Sequence, residues 1–212
     1  MKCHICNEPT LMFFDMQDHS VYYQCKECEY IFKHPSVYKA IEAQKERYDL
    51  HENEEENEGY RAYFQRFLDF IFPLVGTPKT ALDFGCGKST LLSQMLKEYG
   101  VECEYFDPIY HPNKLDNSKK YQLIVSVEVF EHLHQPKEVF EDLLNRLESG
   151  GYLAIQTEFH PNDIDAFKQW YYQKDPTHIV FFREKTFDVL SHLYPCRIVD
   201  DNGKNMIVIK KK

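Results

Sequence analysis

Thr80-Ala81-Leu82-Asp83-Phe84-Gly85-Cys86-Gly87-Lys88-Ser89-Thr90-Leu91-Leu92 is the stretch on which the reading of this chain turns. Apolar residues lead into a Gly-x-Gly turn, and a helical pattern runs on through Met95-Leu96. Strand, glycine turn and helix make the first unit of a doubly wound α/β domain, whose ligands bind at the carboxyl end of the strand. Glycine is wanted there because bare backbone can approach a ligand closely. Two phosphate-binding readings fit poorly. A P-loop ending at Gly87-Lys88-Ser89-Thr90 needs a Gly where Leu82 stands, and it would set Asp83 beside phosphates. A dinucleotide fingerprint needs its third Gly where Thr90 stands.

The segment Leu82 to Ser89 resembles the first motif of class I S-adenosylmethionine-dependent methyltransferases. The resemblance implies that Asp83 helps hold the cationic methionine end of the cofactor, with Gly85, Cys86 and Gly87 beside it. A carboxylate suits a sulfonium and an ammonium and is unsuited to pyrophosphate, so the sign of the charge separates this reading from the other two. Ser89 replaces a Gly common in the family, and its hydroxyl can cap backbone N–H groups.

Working outward, Val101 to Phe106 reads as a second strand ending at Asp107-Pro108. An acid about 20 residues after the glycine turn is placed to hold both ribose hydroxyls; taken alone, Asp before Pro also reads as a turn opener. Tyr121 to Val127 is an apolar run of the kind found in buried parallel strands, leading to Glu128-Val129-Phe130-Glu131-His132-Leu133. By resemblance, Ser126, Val127 and Glu128 face the cofactor from this strand's end. A helix from Pro136 to Leu147, a strand after Ser149-Gly150-Gly151, a helix from Glu184 to Leu193 and a terminal hairpin across Asn202-Gly203 complete the pattern. Between Asp107 and Tyr121 there is too little chain for a helix and a strand, since a complete βαβ unit takes about 30 residues. The expected fold is a doubly wound α/β sheet of the seven-stranded methyltransferase type, with the third strand short or missing. Leu115 and Asp116 are candidate adenine contacts on that open side.

The front of the chain is different. Cys3-x2-Cys6, eighteen residues, then Cys25-x2-Cys28 is the spacing of a four-thiolate zinc ribbon. Two C-x-x-C knuckles complete a tetrahedron with Zn–S bonds of ~2.3 Å, which makes the zinc structural and leaves His4 and His19 as spare donors. Leu11 to Phe14 and Val21 to Tyr23 read as a small β-hairpin between the knuckles. The expected division is a ribbon over 1–35, a helical linker with leading helices over 36–77, and a Rossmann-like domain over 78–212. Within the linker, Ser36 to Asp49 and Tyr60 to Val75 read as helices, the second ended by Pro73 and Gly76.

The chain has 212 residues, and its net charge of −9 does not attract phosphate backbones, which disfavours nucleic acid as a partner. No apolar stretch approaches the ~20 residues that cross a bilayer. Seven cysteines without a secretory signal suit a reducing cytoplasm. The implied activity is methyl transfer to a small-molecule acceptor. The alternative is a binding scaffold with an inactive methyltransferase fold. The acceptor base is expected in the aromatic segment Trp170 to Phe182, which resembles that of zinc-bearing sugar C-methyltransferases, although Thr177 stands where they carry Glu. The resemblance implies His178 as the base, supported by His132, with Tyr48 or His51 from the leading helix over the pocket. Each also has an ordinary structural reading, as a loop, capping or core residue.

Overall fold

The computed structural model describes residues 1–38, 58–113 and 115–212. Tyr48, His51 and all of the leading helix beyond Tyr38 therefore lie outside the described residues. The first sheet is formed by β1 (Thr10–Asp15), β2 (Ser20–Cys25), β3 (Ile31–Lys33) and β8 (Val180–Phe181), in that order. The second is formed by β4 (Thr80–Phe84), β5 (Glu102–Phe106), β6 (Tyr121–Val127), β7 (Leu147–Gln156), β9 (Cys196–Asp201) and β10 (Met206–Lys211), in the order β5-β4-β6-β7-β10-β9. Strands β5, β4, β6 and β7 run parallel, while β10 is antiparallel to both β7 and β9. This second sheet has six strands among the described residues, and β5 is its edge, with no third strand beyond it there. In its place Asp107 bridges to His111, and Lys119 pairs with Glu104 along the exposed edge.

Helices α1 (Glu58–Val75), α2 (Leu91–Glu98), α3 (Pro136–Arg146), α4 (Ile164–Gln169) and α5 (Glu184–Leu193) accompany the sheets. In α1 the buried residues Phe64, Phe67, Leu68 and Ile71 form one stripe and join a core with Leu92, Met95, Leu123 and Val208. Pro73 lies inside this helix rather than ending it. The stop comes at Gly76, whose φ of +71° carries the chain out while its N–H still reaches the Phe72 carbonyl at 3.0 Å.

The front module is larger than the expected hairpin. Strand β3 extends it, and β8 adds a fourth strand from the far end of the chain, with Ile31 opposite Phe181 and Phe32 opposite Val180. Two residues flanked by turns carry too little pattern to announce such a strand. Cys3, Cys25, Cys28 and Tyr30 consequently share one buried core with Phe182, Phe187 and Leu190. No helix among the described residues is long and apolar enough to cross a membrane.

Candidate functional site

The glycine turn is tied to the end of the neighbouring strand. Gly85 and Cys86 donate to the Phe106 carbonyl at 2.8 and 3.1 Å, and the Gly87 N–H donates to Oδ2 of Asp107 at 3.1 Å. Both glycines have positive φ, for different reasons. A side chain on Gly85 (φ +80°) would place its Cβ 2.3 Å from Cγ2 of Val129, whereas Gly87 (φ +65°) opens onto empty space. Ser89 caps as expected, its Oγ accepting the Leu91 N–H at 3.2 Å. Asp107 also realises the turn reading, since its Oδ1 accepts the N–H groups of Ile109 and Tyr110 at 2.8 and 2.9 Å.

Asp83 is buried, and its Oδ2 has no hydrogen-bond partner. Burial, with the Asp107 charge nearby, pushes its carboxyl up to about 7. A buried carboxyl oxygen with no donor, near a second acid, fits a cationic group. Ser126 is likewise buried with Oγ unpartnered at the end of β6. Val127 is half-buried, and Glu128 follows with a φ of +54°, a left-handed conformation uncommon for non-glycine residues and shared here by Asn7, His19 and Glu29.

A second group of acids lies behind that turn. Glu128 accepts from the hydroxyls of Tyr63 and Tyr172 at 2.7 and 2.8 Å, and Tyr63 is held in turn by the Gln156 amide. Burial, then the neighbouring Glu131, pushes Glu128 up to about 8. Glu131 is fully buried, accepts from Thr157 Oγ1 at 2.7 Å and is pushed by burial up to about 7. Sequence reasoning does not find Tyr63, Tyr172 or Thr157, because each reaches the site from an element distant in the chain.

His132 and His178 do come together, with ring centroids 4.8 Å apart. Each directs Nδ1–H to a main-chain carbonyl, His132 to Thr177 at 3.0 Å and His178 to Tyr172 at 2.7 Å. Burial, then the proximity of His132, drives the His178 imidazole down to about 3, and burial lowers His132 as well. Both are neutral at pH 7, but His178 is a far weaker proton acceptor than an imidazole at its ordinary ~6.5. With Tyr171, Tyr172, Lys174 and Asp175 it lines an open cavity of about 300 Å³. Leu115 packs against the main core and Asp116 caps a turn onto Ser118 at 2.8 Å.

The four front cysteines gather as spaced. Cys3–Cys28, Cys6–Cys25 and Cys6–Cys28 sulfurs lie 3.5, 3.5 and 3.7 Å apart. A tetrahedron of ~2.3 Å bonds has edges of about 3.8 Å, so the four sulfurs fit one zinc ion. The Cys28 hydrogen bond lowers the Cys3 thiol to about 5, while burial raises Cys6 to about 11. His4 packs on the Phe32 ring at 4.1 Å and lies outside the sulfur cluster, as does His19.

Among solved structures, the N-methyltransferase NodS of Bradyrhizobium japonicum WM9, in complex with S-adenosyl-L-homocysteine, is 13% identical with a TM-score of 0.52, covering 82% of this chain and 98% of its own. The PH0226 protein of Pyrococcus horikoshii OT3 is 14% identical with a TM-score of 0.56, over 79% of this chain and 99% of its own. The plantazolicin methyltransferase BpumL, in complex with a monoazolic desmethylPZN analogue and S-adenosylhomocysteine, is 14% identical with a TM-score of 0.50, over 81% of this chain and 90% of its own. At such identities the likeness is one of fold. No curated protein sequence matches the chain. The family model described as a methyltransferase domain matches residues 54–200, most of the chain. The chain belongs to that methyltransferase family.

Proposed function

We propose that the protein transfers a methyl group from S-adenosylmethionine to a small-molecule acceptor. The observation that carries this reading is the buried, unpartnered Oδ2 of Asp83 at the carboxyl end of β4, next to a glycine turn that is open above Gly87. Asp83 would receive the methionine ammonium, Gly85, Cys86 and Gly87 would line that part, and Asp107 would take the ribose hydroxyls. Ser126, Val127 and Glu128 would close the strand-end side. Bound S-adenosylmethionine supplies an electrophilic methyl group. The task left to the protein is to orient the acceptor and manage its proton. The acceptor would enter by the cavity that His178 lines, with the His132 ring against it, both rings neutral and held by their Nδ1 bonds. Cys3, Cys6, Cys25 and Cys28 would hold one structural zinc, and seven cysteines none of which is in a disulfide suit a cytoplasmic setting.

Calorimetric titration with S-adenosylmethionine, S-adenosylhomocysteine, ATP and NAD tests the reading. Binding of the first two with no comparable binding of the others is expected. ATP binding more tightly than S-adenosylmethionine would refute it.

A further inference from the structure

Apart from the four thiols, the described residues bring one other set of metal-ligating atoms together: a carboxylate oxygen of Glu131 and one ring nitrogen each of His132 and His178, all within 4.8 Å of one another. We propose that these three residues bind a divalent transition-metal ion at the carboxyl end of β6, additional to the ribbon metal.

Orientation is the main argument. Because a carbonyl can only accept, the bonds to Thr177 and Tyr172 fix the proton of each ring on Nδ1 and leave Nε2 as the lone-pair nitrogen. Ligating histidines are held in this way, one nitrogen on a protein acceptor and the other toward the metal. Nε2 of His132 stands 3.6 Å from Oε1 of Glu131. That is too long for a hydrogen bond, yet it suits two donors of one ion with bonds of ~2.0–2.2 Å. Glu131 fits the same reading: the side chain is fully buried, Oε2 accepts from Thr157, and Oε1, which faces Nε2 of His132, has no hydrogen-bond partner. A carboxylate oxygen buried without a donor is costly, and a cation would relieve that cost. An ordinary core ion pair would account for Glu131 and His132, but not for His178 bringing a second imidazole to the same point.

The ligand set also indicates the use. Two imidazoles and a carboxylate suit zinc, iron or cobalt, and three protein ligands leave positions open, as catalytic sites do. Of the three, His178 also lines the cavity of about 300 Å³, through which an acceptor would approach the ion. The use of the ion rests on the methyl-transfer reading, in which the acceptor is then a hydroxyl compound. Its oxygen would bind the ion, lose its proton through the cavity to solvent and use the electron pair of the broken O–H bond to form the new C–O bond. The methyl's C–S bond breaks with its pair passing to sulfur, and S-adenosylhomocysteine leaves. The two histidines then act as ligands and not as free bases.

The test is titration of the protein, its ribbon loaded with zinc, with cobalt(II) alone, followed by calorimetry and visible absorption. One cobalt per chain is expected, with the weak bands of nitrogen and oxygen ligation and no thiolate charge-transfer band. His178→Ala and the isosteric Glu131→Gln should each weaken cobalt by at least ~10-fold, the smallest loss that disturbing a metal site brings, while circular dichroism and melting stay those of a folded chain. No uptake by the wild type, uptake only with a thiolate band, or equal uptake by wild type and folded variants would overturn the site. Because cobalt uptake needs neither cofactor nor acceptor, it is read separately from S-adenosylhomocysteine binding, which tests the methyl-transfer reading.

Discussion

The four-thiol module and the carboxyl edge of the central sheet both bury reactive side chains, and they do so in opposite ways. Around the thiols, groups meet partners: sulfurs face sulfurs at 3.5–3.7 Å, the Ile5 N–H reaches Cys3 Sγ at 3.4 Å, and the Thr186 hydroxyl donates to the Cys28 carbonyl at 2.9 Å. The Tyr30 hydroxyl is an exception. At the sheet edge, Asp83, Ser126, Glu131 and Gln156 each leave a buried oxygen without a partner. Such orphans are rare in folded proteins and each costs about 1–3 kcal/mol. The first region closes on its own sulfurs, while the second leaves polar atoms that only an added group could satisfy.

The largest expected effect lies in the closed region. Cys25→Ser should abolish zinc retention and lower the melting temperature of the whole chain in one transition, because β3 pairs with β8 and the cysteines share a core with Phe182 and Phe187. Structural zinc supplies on the order of 10 kcal/mol in isolated fingers, so this loss should exceed any at the sheet edge. Scanning calorimetry checks it. An early transition confined to the front, with the main one unmoved, would break the comparison by making the ribbon a separate module.

The two glycines sharpen the comparison within the open region. Gly85→Ala should destabilise by ~2–4 kcal/mol, through strained backbone and collision with Val129. Gly87→Ala meets nothing and should cost only the ~1–2 kcal/mol of a left-handed residue, while weakening S-adenosylhomocysteine. Denaturant melts and calorimetry separate the two outcomes. If Gly87→Ala binds like the wild type, the space above Gly87 does not belong to the cofactor.

Asp107 stands between the two styles, since its carboxylate already accepts three backbone N–H groups. Asp107→Ala should cost ~1.5–3 kcal/mol of cofactor binding, a ten- to hundredfold rise in dissociation constant. An unchanged constant would leave Asp107 a turn residue only.

What is legible in the sequence follows the range of the interactions. The β4 turn and α2, the α5 helix and the hairpin across Asn202-Gly203 are written in consecutive residues. So is the gap after Asp107, because Pro108 and Pro112 oppose a helix locally. The four-cysteine cluster is legible because its spacing is its geometry. Strand β8 and the hold of Tyr63 and Tyr172 on Glu128 depend on segments far apart in the chain, so no local pattern reports them. The run Glu128-x-x-Glu131-His132 did carry a usable signal. Two acids and a histidine in a short apolar turn at a strand's end need partners, and the partner His178 is identifiable only once the chain is folded.

The smallest effect concerns protons, and it tests whether the open region is strained without its ligand. Asp83 and Glu131 near 7 and Glu128 near 8 all titrate well above their unfolded values. Raised folded values mean that their contribution is fully present at low pH and is lost as pH rises through 7 to 8. His132 and His178 are lowered, so their contribution is present above pH 6.5 and is lost as pH falls below it. Between pH 4.5 and 6.5 the two trends oppose each other; above 6.5 only the acids change. Metal-free at the sheet edge and without cofactor, the protein should therefore lose stability between pH 6.5 and 8. Asp83→Asn should flatten that slope by up to one proton's worth, ~1.4 kcal/mol per pH unit. An ammonium seated on Asp83 would favour its ionised form, so S-adenosylhomocysteine should release a fraction of a proton at pH 7 and bind more tightly at pH 8 than at pH 6. Calorimetry in buffers of different ionisation enthalpy measures that release, and Asp83→Asn should abolish it. Equal proton release by both proteins would move the cation elsewhere and leave the orphaned Oδ2 a feature of the core.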